Sequence, residues 1–253
     1  MNHRCSDTDL SARLADMALL CERNGSAIYS KFLDERQCAE AELWCRKNTG
    51  GFLYTLWGGF PDAKRKILAI YPDYYEDYVI SDFPMKCLTF TYRKEDVLTH
   101  RDFLGTFMGL NLKREVIGDI VTGEGKTQAF VTDIVSRLIV STVSKVGNKG
   151  VRITDEKPFE MEIKQDFKII SGTVASMRLD CVVGLATGLS RDKSASLIKS
   201  DKVEVNHFAV DSVSYEVNGK DIISIRGFGR FILSEINGST KKGRIHINLN
   251  KFI

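Results

Sequence analysis

The sequence predicts an α+β protein of three small domains, and three observations lead to this fold class. Residues 1–80 hold two helical apolar patterns followed by two short β-rich runs, which indicate an N-terminal α/β domain. Residues 81–170 give helix and strand signals in the order βαββαβ, which predicts a ferredoxin-like middle domain with the architecture of RNA-recognition modules. Residues 171–253 give two short helices and a series of strands, which predict helices packed on a small twisted sheet.

Length and composition are those of an ordinary globular protein. The 253 residues are 43% hydrophobic and 27% charged, which allows a modest core in each of two or three domains. The chain has no run of about 18 apolar residues, and charged residues such as Arg4 and Asp16 interrupt its start, so we expect neither export nor a membrane span. The six cysteines are scattered, with no C-x-x-C pair and no histidine at zinc-ligand spacing. We therefore expect reduced thiols, a cytoplasmic location, no metal and no cofactor.

Two amphipathic helices open the N-terminal domain. Apolar residues at spacings of three and four predict one helix over residues 7–23, which ends before Asn24 and Gly25. The same pattern predicts a second helix over residues 34–48, where Asp34 is the expected N-cap and Gln37 would complete a capping box.

A hairpin, a loop and a linker are predicted after these helices. Residues 52–58 and 67–71 are the two β-rich runs of the hairpin. The loop Trp57-Gly58-Gly59-Phe60, followed by a Lys-Arg-Lys run at residues 64–66, allows two interpretations. It either stacks on a base while the basic residues hold phosphate, or forms a turn plugged by an aromatic side chain. Residues 73–82, which hold three tyrosines and four acids, form the expected linker to the middle domain.

The middle domain is predicted from six segments in order. Its two helices each place apolar side chains on one face, which suits packing on a four-stranded sheet. Because this architecture serves many functions, the fold alone does not establish RNA binding. The predicted segments are a strand at 87–92, a helix at 96–109, strands at 116–122 and 127–131, a helix at 133–143 and a strand at 151–154.

Three features of the middle domain suggest a more specific chemistry, but the residues around each feature do not match what that chemistry requires. Gly125-Lys126-Thr127 resembles the end of a phosphate-binding loop, but the first glycine would fall at Ile120 and a strand follows, so we predict a hairpin turn. Ala129-Phe130-Val131 matches part of an RNA-recognition strand but lacks its glycine and its final aromatic residue. His100 has no nucleophile or second carboxylate at a defensible spacing, which favours a structural or phosphate-contacting role over catalysis.

Two short helices open the C-terminal domain. Apolar spacing predicts a helix over residues 175–186, with Ser176 as its cap and Gly188 as its C-terminal stop. Ser190 is the predicted cap of the next helix. Strands are predicted at 202–205, 214–217, 221–226, 230–236 and 244–249, with a tight turn at Asn218-Gly219.

Basic charge is concentrated in the C-terminal third. Residues 173–253 hold 12 Lys+Arg against 8 Asp+Glu, a net +4, whereas residues 1–172 hold 24 against 25, a net −1. Cations at helix starts and at a helix-to-strand turn can contact phosphates, and arginine can also fork or stack where lysine cannot. The residues so placed are Arg178, Arg191, Lys193, Lys199 and Lys202.

The order of residues from 175 to 226 resembles the αL-type S-four RNA-binding domain. The likeness rests on the motifs Arg178-Leu179-Asp180, Gly188-Leu189-Ser190-Arg191, Leu197-Ile198-Lys199 and Val203-Glu204-Val205-Asn206. Beyond this module, residues 226–231, 241–245, 99–105 and 113–120 resemble the YlmH family of bacterial proteins. That likeness covers most of the chain and is weakest in the first 50 residues.

This resemblance implies a non-enzymatic, ribosome-associated factor, which we expect to be a monomer without a membrane partner. Proteins of the family bind large-subunit ribosomal RNA and the peptidyl-tRNA that stays on the large ribosomal subunit after a stalled ribosome splits. They support tailing of the stalled nascent chain in ribosome-associated quality control. The resemblance and the basic pattern together give an expected set of RNA contacts, clearest at the first two: Arg178, Arg191, Lys193, Lys199, Lys202, Asn206, Arg226 and Arg230.

Two other functions stay open at this point. S-four domains are also attached to pseudouridine synthases, and Arg178-Leu179-Asp180 superficially copies a catalytic triplet of such enzymes. Here the triplet opens a predicted helix, where Asp180 would complement the helix N-terminus. The remaining alternative is a regulator that binds protein and carries an RNA-binding module.

Overall fold

A computed structural model describes residues 4–48, 50–155, 158–162, 166–239 and 243–253. The chain divides into two compact units, residues 1–163 and 164–253, which we call unit 1 and unit 2. The predicted N-terminal and middle domains therefore lie in one compact unit, and unit 2 begins a few residues before the predicted boundary at 170/171.

The first part of unit 1 is a three-stranded antiparallel sheet with two helices. Its strand order is β1-β3-β2. Asp34 and Gln37 form the predicted capping box at the start of the second helix. β1 was not predicted, because a bulge between Tyr29 and Phe32 interrupts the alternation that marks a strand. The elements are α1 (Arg4–Asn24), β1 (Ile28–Leu33), α2 (Glu35–Lys47), β2 (Leu53–Trp57) and β3 (Lys66–Tyr71).

The second part of unit 1 has the predicted βαββαβ order. Its sheet runs β5-β6-β4-β9 with every neighbouring pair antiparallel, which is the split-βαβ arrangement. The first of its helices begins at His100, four residues later than predicted, because Thr99 and Asp102 form a capping box there. The elements are β4 (Met85–Thr91), α3 (His100–Gly109), β5 (Ile117–Gly123), β6 (Lys126–Thr132), α4 (Asp133–Thr142), the small hairpin β7 (Lys145–Val146) and β8 (Lys149–Gly150), and β9 (Arg152–Thr154).

Unit 1 stacks its two sheets between two layers of helices. Along β3, Leu68 and Ile70 are buried in the cluster that includes α1 and α2, while the alternate residues face the second sheet. Phe32 and Ile67 meet Phe130 of β6 in the cluster between the sheets. Because both faces of the first sheet are buried, the cluster between the sheets contains residues from both sides of position 80/81.

The segment predicted as a linker packs against this core. It forms a 3-10 turn at Asp73–Tyr75 and buries Val79, which is 2% exposed. The Tyr74 hydroxyl donates to the Gly25 carbonyl at 2.5 Å. Phe83 at its end meets Tyr29 of β1 edge to face, with ring centroids 5.3 Å apart. The prediction of a linker was wrong. The acids and tyrosines of this segment indicate an exposed connection, whereas these few contacts hold it against the core.

Unit 2 is a six-stranded sheet with two helices on one face. The strand order is β10-β15-β14-β13-β11-β12, and neighbouring strands are antiparallel. Leu179, Val182, Val183 and Ile198 anchor the helices in a core with residues of the strands. The elements are β10 (Phe167–Val174), α5 (Leu179–Thr187), α6 (Arg191–Lys199), β11 (Val203–Val205), β12 (Phe208–Ala209), β13 (Ile222–Ile225), β14 (Gly229–Ser239) and β15 (Ile245–Phe252).

The start of α5 differs from the prediction, whereas its end agrees. The residue at the N-cap is Arg178 and not Ser176, because backbone bonds hold the preceding segment extended. The Leu179 amide donates to Tyr215 at 2.8 Å, and the Val217 amide donates to Met177 at 2.8 Å. The predicted strand at 214–217 is present only as this bridging segment. Gly188 has φ of 72° and ends the helix in the left-handed conformation, as predicted.

Candidate nucleic-acid interface

Two arginines of unit 2 share one buried carboxylate. Arg178 approaches Asp180 side-on, with Nε–Oδ1 at 3.2 Å and Nη2–Oδ2 at 3.3 Å. Arg191 donates from Nε to Oδ2 at 2.9 Å. The Asp180 side chain is 3% exposed, whereas those of Arg178 and Arg191 are 38% and 65% exposed. We call this group the arginine hub.

Close packing of α5 against α6 brings the hub together. Asp180 lies in the first turn of α5, and Arg191 is the first residue of α6. The buried Ser194 hydroxyl donates to the Ser190 carbonyl at 3.0 Å. A Cβ at Gly184 would lie 3.5 Å from the Ser194 oxygen, so small residues allow the helices to approach. The hub therefore joins Asp180 and Arg191, which are eleven positions apart in sequence.

The hub stays charged across the whole physiological range. Burial raises the pKa of Asp180, but hydrogen bonds from Arg178 and Arg191 outweigh that effect and hold its pKa at about 2. The hydrogen bond to Asp180 raises the pKa of Arg191. Oδ1 also accepts a hydrogen bond from the Cys181 amide at 3.0 Å. This bond places the negative charge of Asp180 at the N-terminus of α5, as predicted. The sequence showed this helix contact but not the two ion pairs.

The lysines predicted as RNA contacts lie on and after α6, and all three are exposed. Lys193 is in the first turn of the helix, and Lys199 is in its last turn. Lys202 follows the helix, and its amide donates to the Leu197 carbonyl at 3.2 Å. Exposed ammonium groups at these positions can contact phosphate without disturbing the core.

The Asn206 side chain makes local hydrogen bonds that stabilise the fold. Its backbone has φ of 50°, and its Oδ1 accepts from the Ile222 amide at 3.0 Å. Its Nδ2 donates to Asp221 at 2.8 Å. These bonds tie the turn after β11 to the start of β13, so the side chain is used locally. Its predicted contact with RNA stays a prediction.

Arg226 and Arg230 flank the turn between β13 and β14. Arg226 is exposed, and its amide donates to the Lys202 carbonyl at 2.9 Å. The Arg230 guanidinium carbon lies 5.3 Å from the centre of the Phe252 ring. Lys251 is also near this turn, since its Cε would lie 3.2 Å from a Cβ at Gly229. Its register partner is Phe231, so Lys251 projects from the opposite face of the sheet to Arg230.

The face of the middle-domain sheet that RNA-recognition modules use for stacking is buried here. Phe130, the aromatic residue noted in the sequence, is 4% exposed. Its ring centre lies 5.5 Å from that of Phe60 and 5.6 Å from that of Phe159. Gln128, its neighbour, is fully buried and donates to the Pro158 carbonyl at 2.8 Å. This face is therefore a core surface and is closed to nucleotides.

The loop at residues 57–60 is a turn plugged by an aromatic side chain, which is the second of the two interpretations that the sequence allowed. Phe60 is 5% exposed and stacks on Phe159 at 4.4 Å. Gly59 has φ of 96°, and a Cβ there would come within 2.0 Å of the Phe130 ring. The neighbouring Arg65 is also occupied, because its guanidinium donates to the carbonyls of Phe32, Arg114 and Ile117 at 2.9–3.3 Å.

A hairpin turn, His100 and several cysteines are further features of unit 1 that the sequence analysis considered. Residues 123–126 form the predicted hairpin turn, with Gly125 at φ of 67°. Burial and the adjacent Arg114 lower the pKa of His100, so its imidazole is neutral at neutral pH. Burial raises the pKa of the Cys38, Cys45 and Cys87 thiols to about 11. Among the described residues, no group of three or more His, Cys, Asp or Glu side chains is arranged to hold a metal.

Comparisons with known proteins agree with the resemblance seen in the sequence. A family model described as "Putative RNA-binding domain in YlmH" matches residues 79–160. The chain is 34% identical over 196 residues to "Ribosome-associated protein quality control protein P2" of Bacillus subtilis (strain 168), a match that covers 77% of this chain and 76% of the relative. Within the described segments, no helix combines the length and the apolar character needed to cross a bilayer.

A solved structure supports the fold. The structure entitled "Cell division protein ylmH from Streptococcus pneumoniae" matches with a TM-score of 0.53 at 17% identity. The match covers 62% of this chain and 94% of that one. At this identity the likeness supports the mixed α/β fold and carries no functional detail.

Proposed function

The chain belongs to the YlmH family, and we propose that it is a non-enzymatic RNA-binding factor of ribosome-associated quality control. In this proposal it binds large-subunit ribosomal RNA, and peptidyl-tRNA, on large subunits that have split from stalled ribosomes. It thereby supports tailing of the stalled nascent chain. The name of the Bacillus relative supports the process, and the family description supports RNA binding.

The arginine hub is the observation that carries the proposed RNA contact. Arg191 uses Nε on Asp180, which leaves its Nη donors for a further anion. A guanidinium held in this way is already oriented for a phosphate, so less side-chain entropy is lost on binding. Lys193 and Lys199 add exposed positive charge on α6, the helix that Arg191 begins. Together these groups suit a folded RNA backbone.

Co-sedimentation with purified bacterial large ribosomal subunits tests the proposal. We expect Arg178→Ala/Arg191→Ala to weaken binding at least about tenfold and to reduce the salt slope by about one per lost phosphate contact. Because the double variant leaves Asp180 buried without its partners, Arg191→Lys is a second variant that keeps a charge but loses the fork. Arg137→Ala, at an exposed arginine of α4, is the matched control. Wild-type sedimentation by both hub variants would contradict the site.

The geometry of Asp180 supports a positioning role over the catalytic one that its motif suggests. A catalytic carboxylate must reach its substrate, whereas Asp180 is buried and bound by two guanidinium groups. Pseudouridine mapping of ribosomal RNA from cells with wild-type protein or Asp180→Asn distinguishes the two roles. We expect identical maps. A uridine that loses its modification in the variant would instead establish an rRNA-modifying enzyme.

The peptidyl-tRNA contact requires its own measurement. Split large subunits carrying peptidyl-tRNA should bind the protein more tightly than the same subunits after the tRNA has been released. Equal affinities would remove peptidyl-tRNA from the proposal and leave the ribosomal RNA contact in place.

A further inference from the structure

A pocket in unit 1 lies where the segment at residues 73–83 meets the starts of β4 and α4. Its volume is about 410 Å³, which is large enough for a long side chain with the backbone around it. Two of its aromatic residues, Tyr29 and Phe83, meet edge to face. We call it the acidic pocket, and the residues that set its chemistry are Tyr29, Tyr75, Asp82, Phe83, Lys86 and Asp133.

Oxygen atoms in the walls of the acidic pocket have unused hydrogen-bonding capacity. Asp133 begins α4, and its Oδ1 is buried without a hydrogen-bond partner among the described residues. The buried Tyr29 hydroxyl also lacks a partner of ordinary hydrogen-bond geometry within that part of the chain. Asp82 is held in place, because it accepts hydrogen bonds from the hydroxyls of Tyr75 and Ser81. A ligand that donates hydrogen bonds and carries positive charge would satisfy these oxygens.

Negative charge predominates around the acidic pocket. Residues 67–85 contain four acids and no lysine, arginine or histidine. Lys86 also lines the pocket, but Asp82 and Asp133 outnumber this cation two to one. Such a surface repels phosphate and attracts cations. The four acids of the segment are all exposed, and they are Asp73, Glu76, Asp77 and Asp82.

Large exposed side chains flank the acidic pocket on the same segment. Tyr74, Tyr78 and Ile80 are 67%, 62% and 50% exposed. The rings of Tyr75 and Tyr78 have centroids 6.2 Å apart, so Tyr78 continues the aromatic wall of the pocket onto the surface. Exposed apolar patches rimmed by polar residues are typical of protein-interaction sites, and tyrosine rings attract ammonium and guanidinium groups.

We infer that this acidic, aromatic surface of unit 1 binds an extended basic segment of another protein, and that the acidic pocket receives one arginine or lysine side chain of that segment. The cation lies against the rings of Tyr29 and Tyr75, and Asp82 and Asp133 pair with it. Tyr78 covers the neighbouring part of the segment. The inference goes beyond the proposed function, because it gives unit 1 a protein partner while unit 2 binds RNA. The charge of the surface selects a basic protein over RNA.

Fluorescence anisotropy of the full chain with a labelled peptide of alternating arginine and glycine tests the charge recognition. The wild-type chain should bind it at least about tenfold more tightly than the matching citrulline peptide, which keeps the shape and loses the charge. Asp82→Asn/Asp133→Asn should weaken binding of the arginine peptide at least about fivefold. Asp62→Asn/Glu124→Gln, at two exposed acids of unit 1, removes the same charge and should bind like wild type. Equal binding of the two peptides, or wild-type affinity in the pocket variant, would overturn the inference.

The aromatic contribution is tested at Tyr78, whose exposure lets it change without disturbing the core. Tyr78→Leu keeps apolar volume but loses the attraction of the ring for cations, so the affinity for the arginine peptide should fall about two- to fivefold. Tyr78→Phe keeps the ring and should bind like wild type. An unchanged affinity in Tyr78→Leu would overturn the aromatic part of the site.

Two further measurements identify the occupant. Asp82→Asn/Asp133→Asn should bind large-subunit ribosomal RNA at least as tightly as wild type, and weaker binding would assign the pocket to RNA and overturn the inference. Spermidine should displace the labelled peptide much less effectively than the unlabelled peptide at the same concentration. Equal displacement would assign the pocket to a polyamine and overturn the protein partner. Failure of the RNA contact at Arg178 and Arg191 leaves this inference standing, because the arginine hub lies in unit 2.

Discussion

Arg191 Nε lies 2.9 Å from Oδ2 of Asp180, and this contact joins the first turns of two consecutive helices. The same carboxylate also binds Arg178, so a single buried acid orients two partly exposed cations. The arrangement makes Asp180 a positioning residue for the surface that we propose to contact RNA.

Replacing Asp180 with asparagine should weaken RNA binding about tenfold, although it makes the protein more positive. The reason is that the two guanidinium groups lose the carboxylate that orients them. Filter binding with large-subunit ribosomal RNA measures the effect. Asp211→Asn, at an exposed loop acid, removes the same charge and should bind as tightly as wild type or slightly more tightly. Tighter binding by Asp180→Asn would show that only charge matters.

The stability of unit 2 should decline with acid because the pKa of Asp180 is depressed to about 2. A depressed carboxyl pKa contributes stability that is fully present above the ordinary value of about 3.9 and is lost as the pH falls toward 2. The loss is about 2 kcal/mol for a shift of this size. Urea denaturation of wild type and Asp180→Asn at pH 6 and at pH 2.5 checks it. The stability difference between the two proteins should shrink at the lower pH.

Adding a methyl group at Gly59 should strongly destabilise unit 1. Its φ of 96° disfavours any side chain, and a Cβ there would meet the Phe130 ring at 2.0 Å. We expect Gly59→Ala to cost at least about 2 kcal/mol in the free energy of unfolding. Gly105→Ala is the matched control, because this helical position in α3 has open space and alanine should stabilise it by about 0.5–1 kcal/mol. Thermal unfolding of both variants distinguishes the two effects.

The buried sheet face of unit 1 should make no contribution to RNA affinity. Phe130 is packed between Phe60 and Phe159, so Phe130→Leu should lower stability by about 1–2 kcal/mol through imperfect packing. Its affinity for large-subunit RNA, measured well below its unfolding temperature, should equal that of wild type. Weaker binding by the folded variant would show that this face opens to nucleotides.

Local signals predicted much of the secondary structure. The capping box at Asp34, the left-handed Gly188 and the βαββαβ order were all readable, because each depends on residues that are close in sequence. The strands β1 and β10 were missed. A bulge disrupts the pattern of β1, and β10 pairs with β15, some eighty residues away in sequence.

The sequence by itself determined the family resemblance, the basic character of the C-terminal third and the positions of Arg178 and Arg191. The tertiary structure decided what these residues do to one another. It joined both arginines to Asp180, buried Phe130 between two sheets and placed Arg230 over the Phe252 ring. Helix packing and strand register bring distant residues together, and neither is encoded in the spacing of neighbouring residues.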